Sequence, residues 1–169
     1  IMYVNFIFIA IFLGYSIGSA PIISFHYGAK NDNELKNLFK KSISLIGSWG
    51  IMLFVIAQLI AGPLAKLFVG YNADLFLITK HGFQIFCFAF LINGFNIFGS
   101  SFFTALNNGL ISAAISFLRT LVFQLSVVLI LPMILGINGI WISVAIAELL
   151  TLCVTVTCLI RKRKVYHYI

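Results

Sequence analysis

Five long apolar stretches, separated by short polar segments, make up most of this chain. They extend approximately over residues 3–25, 44–65, 82–106, 111–135 and 139–160. Each stretch is close to the roughly 20 residues that an α-helix needs to cross the core of a bilayer. Strands of a membrane barrel would show alternating segments of about 10 residues, and this sequence has no such alternation. The pattern predicts an all-α integral membrane protein with five transmembrane helices in the lipid bilayer.

Composition and charge placement strengthen this prediction. Hydrophobic residues make up 62% of the chain and charged residues 9%, whereas about a quarter of the residues in soluble proteins are charged. The net charge of +7 is also found in proteins that bind nucleic acid, but eight of the eleven basic residues flank membrane segments. They are Lys30, Lys36, Lys40, Lys41 and the run Arg161–Lys164. This placement indicates a signal for membrane orientation and no nucleic-acid partner.

The two basic clusters also predict the topology. Lys and Arg are enriched in cytoplasmic loops, so residues 30–41 and the basic tail, residues 161–169, are both expected in the cytoplasm. Five spans place them on the same side, and residues 66–81 then form an external loop. The chain begins as Ile1-Met2-Tyr3 inside an apolar stretch, without an initiator Met at position 1. We therefore expect a fragment whose amino-terminal part is missing.

Polar side chains form a stripe along the third segment. Asn93, Asn96 and Ser100 follow one another at spacings of three or four residues, which places them on one helix face. Amides are costly to expose to lipid, so this face should meet protein or water. Either the stripe lines a cavity for a solute, or it forms hydrogen bonds to neighbouring helices. The cavity is the preferred interpretation, because two amides one turn apart exceed what simple packing needs.

The fourth and fifth segments carry further polar candidates. Gln124 follows Ser112, Ser116 and Thr120 along the fourth segment and is a second candidate for lining the cavity. Arg119 and Glu148 are the charged residues that fall deep within apolar segments, and each costs on the order of 3 kcal/mol to insert unless it is paired or neutralised. One interpretation is that they form a buried ion pair. The other is that Arg119 extends to the membrane surface while Glu148 stays protonated. For both residues, a purely structural contact and a role in coupled transport are alternative interpretations.

Pro21 lies near the inner end of the first segment, where it should kink the helix or end its regular hydrogen bonding. It is a candidate hinge, and a simple packing groove is the alternative. No enzymatic motif or paired carboxylates occur, and the three cysteines have no metal-ligand spacing. The sequence therefore predicts neither an enzyme nor a site for a metal or cofactor.

Residues 20–31 read APIISFHYGAKN and resemble the QPIISYNYGAKN signature of multidrug and toxic compound extrusion (MATE) transporters. The resemblance is closest to the MepA-like and DinF-like bacterial branches. Further similarities occur in the family's order in residues 93–105, 116–141 and 147–150. The chain departs from the family at Ala20, where Gln is usual, and at His26, where Asn is common.

The resemblance implies a transporter of twelve helices in two six-helix lobes, with this chain forming most of the second lobe and the first lobe missing. It implies multidrug efflux by antiport in the bacterial plasma (inner) membrane, in which cationic or amphipathic drugs leave by alternating access while protons or sodium ions enter. A lipid-linked oligosaccharide flippase of the same superfamily and a non-transporting membrane scaffold are the alternatives. One branch of the family uses a carboxylate in the tenth helix for coupling. The corresponding residues 82–106 contain no Asp or Glu, so the coupling site is not placed in this chain.

Overall fold

The computed structural model describes residues 1–168 of the chain, and within them all regular structure is helical. A 3₁₀ turn, Cys87–Ala89, and a π-helical segment, Leu118–Gln124, each join two consecutive α-helices into one continuous span. The helices are thereby grouped into five spans that are long and apolar enough to cross a membrane. Their bounds are α1 (Met2–Gly28), α2 (Asp32–Val69), α3 (Ala73–Phe86), α4 (Phe90–Ala105), α5 (Gly109–Phe117), α6 (Leu125–Leu135) and α7 (Ile137–Tyr166).

The helix α2 begins well before the apolar segment that was predicted to start near residue 44. The side chain of Asn31 accepts a hydrogen bond from the backbone N–H of Glu34 at 3.2 Å, which caps the helix. Leu35 and Phe39 are buried in the first turns. The residues from Asp32 to Lys41, which lie outside the predicted apolar segment, are therefore helical. Hydropathy locates the part of a helix in lipid, whereas capping and burial decide where the helix starts.

The predicted external loop over residues 66–81 is also shorter than expected. Asn72 caps α3 by accepting hydrogen bonds from the backbone N–H groups of Asp74 at 3.0 Å and Leu75 at 3.2 Å. Only residues 70–72 separate α2 from α3. At the other end of the chain, α7 continues past residue 160 to Tyr166 and ends at His167, whose φ of 52° is left-handed. The basic residues 161–164 are therefore helical.

The helix α4 lies at the centre of the bundle, where it packs against α1, α2, α5 and α7. Aromatic rings fill much of this core, and Phe90, Phe98 and Phe102 of α4 are fully buried. Gly94 allows a close approach, because a Cβ there would lie 2.6 Å from the Phe12 ring and 2.7 Å from the Ile46 side chain. The α5–α6 span has far less of its surface covered, as expected for a helix that meets lipid or further protein.

Both clusters of basic residues lie at one end of the bundle. The Tyr27 ring, near the end of α1, lies 5.6 Å from the ring of Tyr166 at the end of α7. The Asn108 side chain, between α4 and α5, donates a hydrogen bond to the Tyr166 hydroxyl at 2.7 Å. This end is called the basic end below, and the turn between α2 and α3 lies at the opposite end.

The helix α1 continues through Pro21 to Gly28. Pro21 therefore does not terminate the helix, although it removes one backbone donor. Its role as a hinge stays a prediction. Pro63 and Pro132 also lie inside helices, in α2 and α6, so a proline within a span is a repeated feature of this fold.

Candidate functional site

The side chain of Glu148, on α7, is buried where this helix faces α4 and the π-helical segment. Its Oε1 atom lies 2.7 Å from Nη2 of Arg119 and accepts a hydrogen bond from Nε of the same residue at 2.8 Å. Arg119 is itself on the π-helical segment, Leu118–Gln124. The two charges that fall deep within apolar segments are thus brought together as an ion pair that includes one hydrogen bond, from Nε of Arg119.

Two amides of α4 complete the surroundings of this carboxylate. Asn96 donates to Oε2 of Glu148 at 2.7 Å and to the Glu148 backbone carbonyl at 2.9 Å. Its own carbonyl oxygen accepts a hydrogen bond from the Thr155 hydroxyl at 3.1 Å. The amide of Asn93 is assigned with its nitrogen toward Glu148, because the groups on that side are acceptors and those on the other side are donors. Its nitrogen donates to Oε1 of Glu148 at 2.9 Å, with Oε2 and the Ala89 carbonyl each at 3.3 Å.

We call Glu148, Arg119, Asn93 and Asn96 the carboxylate cage. Every hydrogen-bonding group aimed at the two carboxylate oxygens is a donor, which is complementary to an ionised carboxylate. Charge-assisted hydrogen bonds are about twice as strong as neutral ones. They offset the cost of holding two charges inside the bundle. The cage therefore links α4, α7 and the π-helical segment through one buried carboxylate.

A cleft of about 290 Å³ lies beside the cage, between α1, α4 and α5. The hydroxyls of Ser100, Ser112 and Ser116 are connected, because Ser100 Oγ lies 2.9 Å from each of the other two. Ser16 is buried, and its hydroxyl lacks a hydrogen-bond partner within the described residues. Arg119 lines the cleft as well as pairing with Glu148, so the two features share a side chain. The polar residues of the lining are Ser16, Ser100, Ser101, Thr104, Ser116 and Arg119.

Of the residues that were predicted to line a cavity, the structure places some at the cleft and others away from it. Ser100 lines the cleft, whereas Asn93 and Asn96 are 1% and 0% exposed and bond to Glu148. Gln124 is half-buried on the π-helical segment and is not part of the cleft. The hydrogen bonds of the two amides match the alternative in which the stripe connects helices. A role for Asn93, Asn96 or Gln124 in binding a solute stays a prediction.

Two serines of the cleft were not identified from the sequence. Ser16 and Ser101 come together from α1 and α4, and the Ser101 hydroxyl donates to the Ser16 backbone carbonyl at 3.1 Å. Neither belongs to a periodic polar stripe long enough to stand out, so the pairing of the two helices is needed to find them. Within residues 1–168, no group of three or more His, Cys, Asp or Glu side chains is arranged to hold a metal ion.

The chain is similar to known membrane proteins both in sequence and in fold. The profile of the family described as MatE matches residues 1–130. Among solved structures, the chain is similar to the Vibrio cholerae MATE transporter VcmN in its bent form, with a TM-score of 0.83 and 19% sequence identity. The similarity covers 95% of this chain and 37% of that one, so this chain spans well under half the length of the transporter. No curated protein matches the sequence.

Proposed function

We propose that this chain, which belongs to the MatE family, forms most of the second lobe of a transporter that exports cationic or amphipathic compounds by antiport with protons or sodium ions. The family predicted from residues 20–31 and the downstream similarities is confirmed by the match over residues 1–130. The predicted all-α membrane fold is confirmed as well, with a TM-score of 0.83 to a MATE transporter. Together with five membrane-length helices, these findings describe a multi-pass membrane protein.

The cleft beside Arg119 is the observation that carries the proposal. Polar side chains at membrane depth face protein or water, because exposing them to lipid is costly. Here hydroxyls from α1, α4 and α5 and one arginine converge on a cleft of about 290 Å³. Hydroxyls can both donate and accept hydrogen bonds, so the same surface accommodates solutes of different chemistry.

The transport proposal is tested with the full-length protein in proteoliposomes, with a fluorescent organic cation as the solute. We expect uptake that depends on an imposed proton or sodium gradient. Ser100→Leu combined with Ser116→Leu should fill the cleft and lower uptake severalfold, unequally between chemically different cations. Ser48→Leu is the matched control, because Ser48 is exposed on α2 and its hydroxyl bonds only to the Ser44 carbonyl of its own helix. Gradient-independent uptake, or equal effects of the cleft and control variants, would contradict the proposal.

We also propose that the basic end faces the cytoplasm of a bacterial cell, in its plasma (inner) membrane, so that the carboxyl-terminal tail is cytoplasmic. The measurement is labelling of single cysteines in intact cells with a membrane-impermeant maleimide, in a variant without Cys87, Cys153 and Cys158. Tyr71→Cys, at the opposite end and exposed, should react from outside. Asn33→Cys, exposed at the basic end, should react only after the cells are opened. External reaction of Asn33→Cys would reverse the orientation.

A further inference from the structure

Seven of the eight cations at the basic end lie on α2 and α7, and Lys30 lies in the turn before α2. Leu35 and Phe39 are buried and fix the first turns of α2 against the bundle. At the end of α7, the Tyr168 hydroxyl donates to the Leu159 carbonyl at 2.7 Å. The Tyr168 ring lies 5.1 Å from the Phe39 ring and 4.9 Å from the Phe102 ring. Both charged runs are therefore positioned by buried aromatic and aliphatic side chains.

The two runs come from distant parts of the sequence and meet in space. Nδ1 of His167 lies 3.8 Å from Oδ2 of Asp32, and the Tyr27 and Tyr166 rings are 5.6 Å apart. We call the combined feature the basic rim. It consists of the lysines at positions 30, 36, 40 and 41 together with the run Arg161–Lys164.

Within residues 1–168, the cations of the basic rim are not paired with carboxylates. The two ion pairs found among these residues are Arg119–Glu148 and His167–Asp32. No Lys or Arg of the rim therefore has a carboxylate oxygen of the described residues within 4.0 Å. Asp32 and Glu34 are the acidic residues of the connecting region, against eight cations. So strong a local excess of positive charge attracts anions from outside the protein.

Apolar side chains next to these cations indicate which class of anion binds to the rim. Phe25 is 70% exposed, Ile160 is 53% exposed and Val165 is 60% exposed, and each is close in sequence to a cation of the rim. Lys and Arg can lay their aliphatic stems along apolar surface and keep the charge at the membrane interface. Phe25 and Ile160 belong to spans that are long and apolar enough to cross the membrane, so the anions nearest to the adjacent cations are lipid phosphates. A phospholipid covers them with acyl chains while its phosphate meets the charges.

We propose that the basic rim binds the phosphate groups of anionic phospholipids in the adjacent leaflet. Arg161 and Arg163 can each form paired hydrogen bonds with a phosphate, and the lysines contribute single ammonium contacts. Because cations from α2 and α7 face the same leaflet, bound lipid connects the beginning of one helix to the end of the other. This binding does not depend on which compound is transported, or on whether any is.

The test measures lipid binding by the purified full-length protein in detergent, with native mass spectrometry as the method of detection. Phosphatidylglycerol and phosphatidylcholine with identical acyl chains are the probes. We expect at least roughly tenfold tighter binding of phosphatidylglycerol, since each cation near a phosphate layer contributes appreciably. The preference should shrink as salt rises from about 50 to about 500 mM, because exposed charges are screened.

Matched variants separate charge from shape. The combination of Lys36→Gln, Lys40→Gln, Arg161→Gln and Lys164→Gln should remove most of the preference. The charge-preserving combination of Lys36→Arg, Lys40→Arg, Arg161→Lys and Lys164→Arg should retain it. Lys66→Gln with Lys80→Gln, which changes cations outside the rim, should also retain it. Thermal denaturation establishes that each variant is folded.

Several outcomes would overturn the inference. They are equal binding of the two lipids by the unmodified protein, an unchanged preference in the glutamine variant, and a preference that salt does not weaken. Competition by inorganic phosphate or an oligonucleotide at the same concentration as the lipid would show that the ligand is a soluble anion. If the glutamine variant fails to fold, Lys36→Gln with Lys40→Gln and Arg161→Gln with Lys164→Gln are measured as two separate pairs, and an unchanged preference in both would overturn the inference. No ion gradient is used, so a failure of the transport proposal leaves this measurement intact.

Discussion

Glu148→Gln is expected to lower the stability of the full-length protein by roughly 3–5 kcal/mol, because it leaves Arg119 inside the bundle without its counter-ion. The substitution also places an amide where the carboxylate oxygens accept hydrogen bonds from Arg119, Asn93 and Asn96. The new –NH₂ group would face donors and satisfy none of them. The loss therefore combines an unpaired charge with disrupted hydrogen bonds around a buried carboxylate.

A double-mutant cycle isolates the ion pair. Removing both charges, as Glu148→Gln with Arg119→Met, should be less harmful than the sum of the two single changes, because no uncompensated charge is left. Glu34→Gln is the matched control on the exposed start of α2, and it should change stability by no more than about 0.5 kcal/mol. Thermal or chemical denaturation in detergent provides the comparison. Strictly additive effects would contradict the pair.

The same variant distinguishes a structural carboxylate from a coupling one. We expect loss of stability to accompany loss of transport, because the cage holds α4, α7 and the π-helical segment together. Proton-driven uptake in vesicles, measured beside the denaturation curve, checks this. A Glu148→Gln protein with unchanged stability and no pH-driven transport would instead assign a coupled proton to Glu148.

Gly94→Ala should destabilise the protein by roughly 1–3 kcal/mol through overpacking. The added methyl would lie 2.6 Å from Cε1 of Phe12 and 2.7 Å from Cγ2 of Ile46. These two side chains belong to α1 and α2, which are themselves packed against α4. The three helices must separate locally to make room for the methyl group. We expect the cost of this separation to exceed the gain of about 1 kcal/mol that alanine has over glycine in a helix.

Gly28→Ala is the control for this prediction. Gly28 ends α1 at the basic end, and a Cβ there meets nothing within 4 Å. Its effect on the denaturation midpoint should be close to zero or slightly stabilising. Equal midpoints for the two variants would mean that α4 does not approach α1 and α2 as closely at Gly94 as the structure indicates.

The sequence by itself determined the fold class and the family. A membrane-spanning backbone must satisfy its own hydrogen bonds, so apolar stretches near residues 3–25 and 139–160 could only be helices. The motif at residues 20–31 indicated the family, and the basic clusters indicated which ends of the helices lie together. Hydropathy could not locate the start of α2 or α3, because polar residues there are ordered by the caps at Asn31 and Asn72.

Only the tertiary structure decided what the polar residues contact. Residue spacing puts Asn93, Asn96 and Ser100 on one side of α4, but it does not say which helix meets each of them. The bundle turns the two amides toward Glu148 on α7 and leaves Ser100 at the cleft beside α5. Periodicity is a property of one helix, whereas a partner is set by the packing of two, and that packing depends on side-chain volumes along both.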